Sequence, residues 1–199
     1  MSLYAIAIFL HVIGALALFA GLGLEWAGLL NLRRSLTTAQ VRDWTKLLGA
    51  VRVVASPAGL VILVSGIYMS ATRWGRQAWI GLGLIGLVTM VVLGLVLSAR
   101  RIASLVRAIP AQDGPIPPEL QHRVTDPVLQ VSAWLRTGLG LGVVFLMTVK
   151  PTAPVALAAL GVSLVVGLAA GLPGWSRSRR AVPVAQQSRV RREPTHGGR

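Results

Sequence analysis

Five apolar runs, at residues 3–30, 51–71, 78–99, 133–149 and 153–173, dominate this chain. A helix needs about 20 apolar residues to cross about 30 Å of hydrocarbon. Three of the runs meet that length easily, and the last two are shorter but workable. Charged residues are only 13% of the chain, about half the share found in soluble domains. That is too few to clothe a bundle of buried helices in water. A β-barrel is excluded too, because its strands alternate polar and apolar positions, whereas both faces of each run here are apolar. Backbone hydrogen bonds in lipid must then close within helices. The expected fold is all-α, a polytopic membrane bundle of five transmembrane helices.

The basic residues set its orientation. Only Arg73, Arg76 and Lys150 fall at one end of such a bundle, and the other 17 of the 20 fall at the opposite end. The excess persists without the basic residues of the C-terminal tail. The positive-inside rule puts the arginine-rich end in the cytoplasm, giving an N-out, C-in protein of a cytoplasm-facing membrane. Trp26, Trp44, Trp134 and Trp175 fall at the expected inner boundary, and Trp74 and Trp79 at the outer one, as an aromatic belt requires. The N-terminus lacks a basic leader, and its apolar stretch exceeds the usual signal-peptide length of about 7–15 residues. It reads as a retained first helix.

Two regions follow, a membrane bundle over residues 1–174 and a basic, disordered cytoplasmic tail over residues 175–199. Within the bundle, residues 37–46 are expected to form a short interfacial helix. The second membrane helix is expected to start near Arg52, with Pro57 in its first two turns. The third is expected to continue as an amphipathic segment through Arg107. Residues 110–127 form the one substantial loop, with a helical turn beginning at Pro117–Pro118. The last helix is expected to stop at Gly171, Pro173 and Gly174. A net charge of +14 in a membrane chain points to anionic lipid headgroups rather than nucleic acid.

Gly14, Gly21 and Gly28 recur every seven residues in the first helix. Gly138, Gly140 and Gly142 alternate in the fourth and cannot share one face. Small residues let membrane helices approach closely. Packing within the bundle, a homodimer seam or a flat cofactor face are the readings this allows.

Few residues are equipped for chemistry. With no cysteine in the chain, thiol nucleophiles, disulfides and thiolate metal sites are excluded. His11, in the outer half of the first helix, is a titratable group well inside an apolar run. Imidazole there is a haem ligand, a proton relay or a metal ligand, or else a neutral group bonded to a neighbouring helix. Glu25 lies nearly four turns further on, about 21 Å along the axis. It stands near the level of Arg52 and Arg136, as an ion pair or as an anion site. Lys150 ends the fourth helix as a snorkelling cation or an anion ligand. Asp113, Glu119, His122 and Asp126 match no zinc signature.

The stretch LYAIAIFLHVIGALALFAG at residues 3–21, the arginine pair after it, and LMTVKPT at residues 146–152 carry a resemblance. The chain resembles a family of predicted bacterial integral membrane proteins of uncharacterised function. More remotely, its first-helix histidine is similar to that of the membrane-type haem-binding protoporphyrinogen oxidases and of the copper-resistance D proteins. The oxidase resemblance implies haem b with His11 as axial ligand. The readings carried forward are a non-catalytic membrane scaffold or accessory subunit with a homodimer or membrane partner, a haem-binding redox protein, and a small transporter.

Overall fold

The computed structural model describes residues 2–180. Seven α-helices make up the described chain: α1 Leu3–Arg34, α2 Thr38–Met69, α3 Ala78–Leu93, α4 Arg100–Ala108, α5 Pro118–Val124, α6 Pro127–Val149 and α7 Ala153–Arg180. Two π-helical segments, Ser70–Trp74 and Gly94–Ala99, extend α2 and join α3 to α4. Five of the resulting rods are long and apolar enough to cross a membrane: Leu3–Arg34, Thr38–Trp74, Ala78–Ala108, Pro118–Val149 and Ala153–Leu172. Large apolar side chains such as Phe9, Leu16, Val64, Ile85 and Val165 lie open on the outer surface. The chain is a multi-pass integral membrane protein with its apolar side chains turned to lipid.

Caps define where each rod begins. Ser2 accepts from the amide of Ala5 and Thr37 from that of Gln40, each satisfying an otherwise orphaned first-turn donor. Asp126 does the same for Val128, with Pro127 at the first helical position, where its missing N–H costs nothing.

The second membrane helix differs from expectation. It starts at Thr38, not near Arg52, and residues 37–46 belong to it rather than to a separate interfacial helix. Nothing between Thr38 and Met69 breaks a helix except Pro57, which removes one backbone donor without ending the rod. Val41 and Leu48, fully or nearly buried, hold this extension against the bundle. The amphipathic continuation through Arg107 and the turn at Pro118 are present as expected. The final helical backbone passes through Pro173 and Gly174 to Arg180, so neither residue terminates it. Of the tail expected over residues 175–199, the part to Arg180 continues the α7 backbone, and residues 181–199 lie outside the described residues.

Glycine sets the helix contacts. Gly14, Gly21 and Gly28 are all buried, and all face α2, at Ile62 and Ala58, at Ala55, and at Leu48. The seven-residue spacing is therefore a seam inside the bundle. Gly138 and Gly142 face Ser163 on α7, while Gly140 faces Phe19 and Met90. Their alternation serves α7 on one side of α6 and α1 with α3 on the other.

The largest apolar cluster sits at the arginine-rich end. Leu29, Leu32, Val41, Leu48, Ile102, Leu105, Leu120, Val124, Leu129 and Ala133 form it. The loop before α5 is tied over it by Thr38, whose amide donates to Gly114 O at 3.0 Å while its hydroxyl accepts from the Gly114 amide at 3.0 Å. Arg42 adds an ion pair to Asp113 at 2.8 Å.

Candidate functional site

Among the described residues the interior holds one buried ionic cluster. Arg136, on α6, donates from Nη1 to Glu25 Oε2 on α1 at 2.8 Å, and from Nη2 to Glu25 Oε1. The fork matches the carboxylate geometry, the strongest form of such a pair. Both side chains are largely buried, at 11% and 14% exposure. Arg136 Nε donates to Ser132 O at 3.2 Å, and Nη2 reaches Ser98 Oγ at 3.2 Å. Ser98 in turn donates to Ser132 Oγ at 2.9 Å. The cluster therefore joins α1, α6 and the π-helical segment before α4.

That π-helical segment has a local role. Its Gly94 leaves room for the guanidinium, which would stand 3.4 Å from a Cβ at that position, and it carries Ser98. Insertions of this kind change the phase of a helix where a side chain must be re-aimed. In the sequence Ser98 and Ser132 are only serines within apolar segments, and no local pattern points to this contact. Trp26 and Trp134 meet edge-to-face at 4.6 Å close by, and Trp26 Nε1 donates to Thr137 Oγ1 at 3.1 Å.

Arg52 is half-buried on α2 and in electrostatic range of both Glu25 and Arg136. No side-chain hydrogen bond engages it among the described residues. Two cations and one carboxylate thus share this level of the membrane.

His11 is half-buried and faces α2. Its Nδ1 lies 3.2 Å from Ile62 O and 3.1 Å from Ser65 Oγ. Ser65 itself donates to Val61 O at 2.5 Å, so its lone pairs are free to accept from an Nδ1–H. Gly66 lies beside the ring, with a Cβ there 3.3 Å from Cε1. His11 and the Glu25 cluster are not brought together.

Lys150 follows α6 in a left-handed conformation, φ 54°, with Nζ 4.0 Å above the Trp74 ring. The loop residues Asp113, Glu119, His122 and Asp126 do not converge. Asp113 pairs with Arg42, and Asp126 pairs with Arg101 at 2.9 Å. Glu119 and His122 are exposed on α5. Among the described residues no three His, Cys, Asp or Glu side chains approach closely enough to share a metal ion.

Two cavities border these elements. A slot of about 10 Å³ lies among Trp26, Leu29, Arg33, Asp126 and Gln130. A shallow, open groove of about 440 Å³ runs past Arg42, Lys46, Val106 and Ile109. Comparison with family models, curated proteins and solved structures finds no match to this chain.

Proposed function

We propose that this protein is a non-catalytic scaffold or accessory subunit of the bacterial cytoplasmic membrane, with its N-terminus outside. One observation carries the reading: the interior spends its polar groups on itself. No buried side-chain nitrogen or oxygen among the described residues lacks a hydrogen-bond partner. A catalytic or transport site keeps polar or ionisable groups facing a substrate path, whereas Glu25, Arg136, Ser98 and Ser132 face one another. Neither cavity is an enclosed chamber of the several hundred Å³ that a small ligand needs. The outer surface, with its large exposed apolar side chains, offers the contact area for a membrane partner.

The test places a photo-crosslinking residue at the lipid-facing positions Ile85 and Val165, in native membranes. A discrete protein adduct, with co-migration in a larger assembly on native electrophoresis, is the expected result. Migration as an isolated chain with lipid adducts alone would sink the reading.

A second reading rests on His11. Its Nδ1 is held by a backbone carbonyl, the usual orienting bond of a ligating histidine, and Nε2 has no partner among the described residues. If haem b bound here, His11 would be the residue to hold it, and the haem iron would supply a redox couple. The fit is incomplete, since neither main cavity touches His11 and His122 lies at the opposite end. A Soret band in the purified protein that disappears in His11→Ala supports this reading. No band after expression with ample haem refutes it.

A further inference from the structure

The two ends of the bundle treat their charges differently. At the arginine-rich end carboxylates answer the cations: Asp113 with Arg42, Asp43 with Lys46, Asp126 with Arg101, and Glu25 with Arg136. Among the described residues the arginine-poor end has no carboxylate to offer. Glu25, Asp43, Asp113, Glu119, Asp126 and Glu193 are the six acids of the chain, and none lies before α1, in the hairpin between α2 and α3, or in the turn between α6 and α7.

Three chain segments nevertheless converge there on one aromatic pair. Trp74 Nε1, from the hairpin, donates to Tyr4 Oη on α1 at 3.2 Å. Trp79, at the start of α3, meets Trp74 edge-to-face at 5.6 Å. Arg73 lies 4.8 Å above the Tyr4 ring, and Lys150 lies 4.0 Å above Trp74. Arg76 follows in the same exposed hairpin. A ring face attracts a cation without using its N–H donors. No side-chain hydrogen bond or ion pair within the described residues takes up the donors of Arg73, Arg76 or Lys150. The rings thus hold two cations in place while their donors stay unspent, at the depth where tryptophan marks the headgroup layer.

We propose that this end binds the phosphodiester of an anionic phospholipid, cradled by Arg73, Arg76 and Lys150 around the Tyr4–Trp74 pair. A phosphodiester supplies the acceptor oxygens and the negative charge that the protein lacks here. Its acyl chains would run along the apolar outer surface of the same helices.

The test reconstitutes the full chain in nanodiscs containing phosphatidylglycerol with a photoactivatable headgroup, and maps the adducts. Labelling is expected on the segments carrying Tyr4, Trp74 or Lys150. The same probe on phosphatidylcholine should label them weakly. Arg73→Gln and Lys150→Gln should each lower labelling about fivefold, the factor for one cation near a charged lipid surface. Gln77→Glu puts a carboxylate beside the cradle and should lower labelling comparably. Its position, at the N-cap of α3, favours a negative charge and so preserves the fold. Equal labelling by both lipids, or labelling unchanged in Gln77→Glu, overturns the proposal. Loss of labelling in excess inorganic phosphate would show a soluble-anion site and overturn the lipid assignment.

Discussion

Replacing Glu25 by Met removes the only carboxylate among the described residues that faces Arg136 and leaves Arg52 in range. Two hydrogen bonds are lost, and the guanidinium keeps its charge at 11% exposure. Breaking a buried ion pair from one side costs about 3–5 kcal/mol, and the like charge of Arg52 pushes toward the upper end. Arg136→Met leaves the carboxylate without its fork but with Arg52 still in range, so it should cost less, at or below the lower end of that range. Replacing both removes two charges together and leaves Ser98 and Ser132 bonded to each other. Since a buried pair exchanged for apolar side chains is often near neutral, the double variant should recover to within about 2 kcal/mol of the parent. SDS titration in mixed micelles, followed by the fluorescence of the adjacent Trp26 and Trp134, measures all four proteins. A double-mutant coupling below about 0.5 kcal/mol, the additivity limit of independent sites, would refute the reasoning.

Gly138→Ala places a Cβ 2.5 Å from the backbone oxygen of Ser163. Backbone must move, so a loss of about 1–3 kcal/mol is expected in the same titration. Gly161→Ala, with nothing within 4 Å of the added carbon, should be nearly silent. Asp126→Ala removes both the cap of α6 and the Arg101 pair; about 1–2 kcal/mol is expected from the cap alone, as a lowered melting temperature. Reporter fusions at Gln77 and Gly114 should report opposite sides of the membrane, with Gly114 cytoplasmic.

The spans were legible because length and apolarity alone set them. The start of α2 was not. Arg42, Asp43 and Lys46 have the polar pattern of a surface helix, and Arg52 looked like a boundary charge. Yet a helix ends where a strong cap or breaker ends it, and between Thr38 and Arg52 only Gly49 could do so, which the helix runs through. Glu25 and Arg136 were recognisable as residues at one depth, but their forked contact depends on the rotation of α1 against α6. Ser98 was hidden by the π-helical segment, which no local pattern announces. Lys150 stood out as a charge beside Pro151, whereas its aromatic partners come from distant turns, a tertiary fact.

The position of the main apolar cluster gives this chain two solvents. At about 1.5 Å per residue, α1, with 32 residues, is about 48 Å long, well beyond the hydrocarbon thickness of about 30 Å. The excess at the arginine-rich end carries Leu29 and Leu32 of α1 into a core shared with Val41 of α2, Leu105 of α4 and Leu120 and Val124 of α5. That core is held by exclusion of water and weakens on cooling or in urea. The spans beneath it gain nothing from excluding water, since lipid is as apolar as leucine, and hold by close glycine contact and the Glu25–Arg136 pair. Urea should therefore loosen that core while the rods stay in register, and a change of lipid should do the reverse.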